Sequence, residues 1–89
     1  MIEAVLSERA IVNFDRGALE FFYNDGTSHD IHVLHITTIK VRTNENGEYR
    51  LEVVTTSGAH YAENMDADRV DQTMALVAEV QEEMATHRQ

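Results

Sequence analysis

The chain has no cysteine, which excludes a disulfide framework, a thiolate metal site and a cysteine nucleophile, so its stability has to come from packing. Proline and tryptophan are also missing, and glycine occurs four times. No apolar run approaches the roughly 18 residues of a membrane-crossing helix. The opening Met1-Ile2-Glu3-Ala4-Val5-Leu6 lacks the basic start and long apolar stretch of an export signal, so the expected location is the cytoplasm. Basic side chains are scarce, with seven Lys and Arg against sixteen Asp and Glu and a formal charge of -9. Such a mean field repels phosphate polyanions and anionic lipid headgroups, which argues against direct nucleic-acid binding and against a membrane surface.

What remains is 43% apolar and 26% charged over 89 residues, the composition of one small globular domain spanning 1–89. A chain of this size buries only about 60% of its unfolded surface, so it gains from a protein partner or from a second copy of itself. Its glycines sit in polar clusters: Asp15-Arg16-Gly17, Asn24-Asp25-Gly26, Asn44-Glu45-Asn46-Gly47-Glu48 and Thr56-Ser57-Gly58. Between them lie segments rich in Val, Ile, Thr, Tyr and Phe, the pattern of consecutive antiparallel hairpins. The spacing predicts six strands, near 8–14, 18–24, 29–34, 36–43, 49–56 and 59–63, with the sheet occupying 8–63.

Register follows from keeping each face of one kind. A two-residue Asn46-Gly47 loop would oppose Lys40 with Val53 and Val41 with Glu52, mixing the faces. A three-residue loop over 45–47, with Gly47 left-handed, opposes Val41 with Leu51, Ile39 with Val53 and Lys40 with Glu52. It yields an apolar face (Ile39, Val41, Leu51, Val53) and a polar one (Lys40, Arg42, Arg50, Glu52). Around Gly17, a four-residue loop pairs Phe14 with Leu19, Val12 with Phe21 and Ala10 with Tyr23. Strand 18–24 also carries Phe22 on its other face, as its neighbour carries Ile11. A strand apolar on both sides is expected to be central or wrapped, so the sheet should curl toward a partly open barrel.

From Met65 the period changes. At about 100° per residue, Val70, Thr73, Met74, Leu76, Val77, Val80, Gln81 and Met84 share one arc, while Asp68, Asp71, Glu79, Glu82 and Glu83 fill the opposite one. This predicts an amphipathic helix over 66–86, capped by Asp66 or Asp68, whose apolar stripe closes the sheet. The fold class expected is therefore α+β: a curled antiparallel meander with one C-terminal helix.

Several segments carry a resemblance: Leu19-Glu20-Phe21-Phe22-Tyr23, Ile31-His32-Val33-Leu34 leading into 36–41, Leu51-Glu52-Val53-Val54-Thr55-Thr56-Ser57-Gly58-Ala59-His60-Tyr61, and the closing helix. Their cadence resembles short bacterial and phage forms of the pleckstrin-homology-like superfold. That superfold has seven strands and a helix, which makes residues 1–7 the candidate for the seventh. Where phosphoinositide-binding members place a basic cluster, this chain has Asp15-Arg16-Gly17 between strands carrying Glu8 and Glu20. The resemblance thus implies a protein-binding or self-assembling scaffold and no lipid headgroup site.

The histidines His29, His32, His35 and His60 are the first candidates for chemistry, since imidazole with carboxylate holds transition metals. On a strand, however, His32 points away from His29 and His35, and those two lie about 20 Å apart. A kink at 34–36 would bring His35 toward His60, and one register would set His32 against Glu20, but packing histidines are the expected reading. Ser7, Ser28 and Ser57 lie in no Gly-x-Ser-x-Gly elbow and no Ser-x-x-Lys motif. No catalytic, metal or cofactor site is expected. The sequence predicts a non-enzymatic protein-interaction module, open to self-assembly, contacting its partner through Lys40, Arg42 and Arg50 on the sheet and Asp68, Asp71, Glu79, Glu82 and Glu83 on the helix. The alternative is an acidic inhibitor that imitates nucleic acid to occupy a nucleic-acid-binding or defence protein, as phage antidefence proteins do.

Overall fold

Seven strands rather than six precede the helix in the computed structural model, which describes residues 1–87. They are β1 (Ile2–Ser7), β2 (Ala10–Asp15), β3 (Ala18–Tyr23), β4 (Ser28–His32), β5 (Ile36–Thr43), β6 (Tyr49–Thr55) and β7 (His60–Met65), followed by α1 (Val70–His87). Short 3-10 turns occupy Val33–His35 and Ala67–Arg69. Residues 1–7 are thus largely strand. The β1–β2 turn, Ser7-Glu8-Arg9, has no glycine, proline or asparagine to mark it in the sequence; it is held by the Arg9 N–H donating to Ser7 Oγ.

The strands form two antiparallel sheets, ordered β1-β2-β3-β4 and β5-β6-β7, which do not close into a barrel. The break falls where the apolar parity switches: Val33–His35 turns the chain out of the first sheet, with Val33 N–H donating to Gly17 O at 2.7 Å. Both expected registers are present. Val41 faces Leu51, Ile39 faces Val53 and Lys40 faces Glu52, and Asn44 N–H donates to Glu48 O, leaving 45–47 as the loop, with Gly47 at φ 77°. Phe14 faces Leu19 as expected, but Asp15 also faces Ala18, so the loop shrinks from four residues to Arg16-Gly17. Both residues have positive φ, 53° and 81°, the geometry of a type I′ hairpin.

The two sheets cross. Leu6, Tyr23 and His29 lie at the same end of the first sheet, and β7 runs over that end. Asp66 N–H, just beyond β7, donates to Leu6 O at 2.8 Å, while further back along the strand Tyr61 stacks on His29 and Tyr23 Oη donates to Glu63 Oε1 at 2.6 Å. On the remaining open side α1 packs against β1 and β5. Its 3-10 lead-in moves the α-helical start from 66 to Val70, and the Asp66 side chain makes no capping bond. Thr73, Leu76, Val77, Val80 and Met84 are buried as the arc predicts, and Gln81 donates from Nε2 to Ile39 O on the outer edge of β5. Met74 departs from the pattern: it lies at the arc's margin and is 55% exposed. Burying Leu76, Val77, Val80 and Met84 contributes about 1.5–3 kcal/mol each, comparable together to the net stability of a small domain.

Candidate interaction surface

Because side chains alternate along a strand, each sheet has an inner and an outer face, and the outer faces can be read row by row from the register. On the first sheet the inner face holds Ala4, Leu6, Val12, Phe14, Leu19, Phe21 and Ile31, all buried. The outer face begins with an apolar row: Val5 faces Ile11 and Ile11 faces Phe22. Ile11 is 37% and Phe22 42% exposed. Both strands are central, as the doubly apolar pattern allows, β2 lying between β1 and β3 and β3 between β2 and β4, but their outer face is open and not wrapped. The next row is acidic: Glu3 faces Asn13, Asn13 faces Glu20 and Glu20 faces Asp30. The Asn13 Oδ1 is shielded and has no hydrogen-bond partner, and the carboxylates opposite it have no proton to give.

The outer face of the second sheet has a different sequence of rows. Thr38, Val54 and His60 form the first, Lys40, Glu52 and Ala62 the second, Arg42, Arg50 and Asn64 the third. Two guanidinium groups thus oppose each other directly, an arrangement that costs energy when no anion lies between them. Glu52 relieves one, its Oε1 lying 3.2 Å from Arg42 Nε. Among the described residues Arg50 and Lys40 make no ion pair. A shallow cleft of about 120 Å³ opens between Arg42, Arg50 and Asn64, with Tyr49, Glu48 and Glu52 on its rim.

The helix carboxylates occupy a third surface. Asp68, Asp71, Glu79 and Glu82 are exposed and Glu83 is half-buried, at 3.8 Å from His87 Nε2. Asp68 sits in the 3-10 lead-in and not in α1. Glu79 and Glu83 line a hollow together with Ile2, Phe14, Asp15 and Arg16. The sheet cations and the helix acids that the sequence singles out therefore lie on separate elements, while Glu3, Glu20, Asp30, Ile11 and Phe22 went unselected. Their signal was present, as the second apolar face of strand 18–24.

The histidines do not converge. Among the described residues no group of three or more His, Asp or Glu could hold a metal ion. His32 faces Ala18, not Glu20, whose partner is Asp30. Its Nδ1 accepts from Leu34 N–H at 3.2 Å, capping the 3-10 turn, and its ring meets that of His35 at 6.2 Å. The two flank an open cleft of about 380 Å³ with Asp30, Thr55, Ser57 and Tyr61. Ser57 Oγ is engaged with Thr55 Oγ1 at 2.9 Å within its turn. His29 is a packing group: its ring stacks between Phe21 and Tyr61, each centroid 4.9 Å away, and its shielded Nε2 has no partner. Beside it, burial and then the Glu63 hydrogen bond and charge raise the Tyr23 phenol well above its ordinary range.

No helix among the described residues is long and apolar enough to cross a membrane. Compared with protein-family models, with curated proteins and with solved structures, the chain matches none.

Proposed function

We propose that the chain is a non-enzymatic protein-interaction module of pleckstrin-homology-like architecture, and that it docks its partner on the outer face of the first sheet. The observation that carries this reading is the Ile11 and Phe22 pair, left exposed side by side on a strand face whose next row is acidic. Fully burying a large apolar side chain is worth about 1.5–3 kcal/mol, and with 37% and 42% of Ile11 and Phe22 still exposed the single chain forgoes about 0.5–1.2 kcal/mol at each. Apolar groups rimmed by charge are the usual anatomy of a contact site. The acidic row selects a partner with basic groups around an apolar anchor.

The nucleic-acid-mimicking alternative rests on the helix carboxylates and is weaker on charge density. Five carboxylates span about 24 Å at 1.5 Å per residue, whereas duplex DNA carries about 14 charges over that length. The two readings separate in capture from host lysate with the parent protein, an Ile11→Ser and Phe22→Ser double variant, and an Asp71→Asn, Glu79→Gln and Glu82→Gln triple variant. The expected result is that the sheet variant loses the captured proteins while keeping the parental circular dichroism, and the helix variant keeps them. Unchanged capture by the sheet variant overturns the proposal. Loss in the helix variant, with competition by duplex DNA, transfers it to the mimic.

A further inference from the structure

We infer that one occupant of this face is a second copy of the chain, seated by the outer face of its second sheet, so that copies add head to tail. This rests on the docking reading above and names the partner. The argument is the order of the rows. On the first sheet an apolar row (Val5, Ile11, Phe22) is followed by an acidic one (Glu3, Glu20, Asp30). On the second, a row with Val54 between Thr38 and His60 is followed by rows carrying Lys40 and then the opposed Arg42 and Arg50. Successive rows on one face are about 6.8 Å apart in both sheets. In this alignment Val54 meets the Ile11 and Phe22 row and Lys40 meets the carboxylate row, where Glu52 stands as one like charge; taken whole, the face of Lys40, Arg42, Arg50 and Glu52 is net positive opposite Glu3, Glu20 and Asp30.

Charge also decides against the other pairings. Laying the first sheet's outer face on itself would bring Glu3, Glu20 and Asp30 against their own copies, and doing so with the second would oppose four arginines. Arg50, which makes no ion pair among the described residues, comes opposite the row of Asp15 across the contact. In a molecule with seven basic residues and a net charge of -9, three of the seven stand on this one face. The contact joins two different patches of the chain, so it is heterologous and leaves one face of each kind free at the ends of a pair. Each face measures on the order of 400 Å² from strand spacing and rise, about half the standard footprint per partner. The association is accordingly weak and concentration-dependent.

Sedimentation velocity over a concentration series tests it with three proteins. One is the parent, one carries Glu20→Gln with Phe22→Ser, and one carries Arg42→Gln with Arg50→Gln. The parent is expected to grow beyond a dimer with concentration and to weaken at least tenfold between about 0.1 M and 1 M salt, as the Debye length falls from about 10 Å to 3 Å. Each variant alone should remain monomeric, because each lacks one of the two faces. An equimolar mixture of the variants should form a one-to-one dimer and nothing larger, since it contains one intact pair of faces. A parent that stays monomeric at about 1 mM, or a dimer abolished by the Phe22 variant and untouched by the arginine variant, overturns the inference. Either result leaves the docking module standing if lysate capture still depends on Phe22, and both readings fail if it does not.

Discussion

Replacing His29 by phenylalanine should stabilise the protein, because the ring already lies between two aromatic rings and its shielded Nε2 has no partner to lose. Exchanging an unsatisfied polar atom for carbon in the same stack is worth about 1 kcal/mol, or roughly 4–8 °C in a domain of this length. A lower melting temperature for His29→Phe would show that the imidazole has a polar role. In the neighbouring ring, 5.6 Å from His29 by centroid, Tyr23→Phe has the opposite sign. It removes the 2.6 Å bond to Glu63 that ties β3 to β7, at a cost of about 1–3 kcal/mol because the acceptor is charged. The pH dependence follows from the raised phenol. A group whose folded pKa exceeds its unfolded value contributes fully below the unfolded value, about 10 for tyrosine. That contribution is lost as pH rises through the folded value. Urea midpoints at about pH 8 and pH 11 should therefore fall in the parent, and the difference between parent and Tyr23→Phe should shrink at the higher pH. A constant difference would refute the assignment.

At the scale of elements, the Arg16-Gly17 hairpin offers a direct check on turn chemistry. Both residues have positive φ, which glycine accepts and arginine resists. Arg16→Asn supplies the preferred first residue of this turn and should raise stability by about 0.5–1 kcal/mol, read as a higher midpoint in urea. No change would mean that the left-handed strain at Arg16 is already relieved. The same hairpin shows what sequence can convey. Its register was legible because Phe14, Val12 and Ala10 meet apolar partners in one alignment, whereas its loop length was not, since extending the strands by one residue preserves every pairing. The first strand is not marked by alternation, and only the resemblance implies a seventh strand at residues 1–7. Val5 interrupts the alternation of Ile2, Ala4 and Leu6, and the following turn has none of the residues that announce a turn. The helix was legible over most of its length, because a period of about 3.6 with one buried stripe has few other solutions. Its true start was not, because the 3-10 turn at Ala67–Arg69 continues the same charged pattern.

Considered as a whole, the molecule divides its charges between surfaces: acids along α1 and across the first sheet, cations on the second. Self-repulsion at a net charge of -9 should dominate its response to ionic strength at high dilution, where copies are apart. Raising salt from about 0.01 M to 0.15 M shortens the Debye length from about 30 Å to 8 Å and should raise the melting temperature; a fall would mean that attractive pairs outweigh the repulsion. The exposed pair Ile11 and Phe22 illustrates why the candidate surface was harder to read than the fold. Two apolar faces on one strand look alike in sequence, and which of them is covered depends on where β5 to β7 and α1 settle, a matter of the whole chain. That dependence also governs assembly in time. Every strand pairing joins consecutive strands, and such hairpins form in about 1–10 μs, yet α1 is the last described element in chain order and covers the side between β1 and β5. At about 5–20 residues per second, its 18 residues take roughly 1–4 s to synthesise. During each round of translation the paired strands therefore wait, for a time vastly longer than they need to form, with part of their apolar interior uncovered.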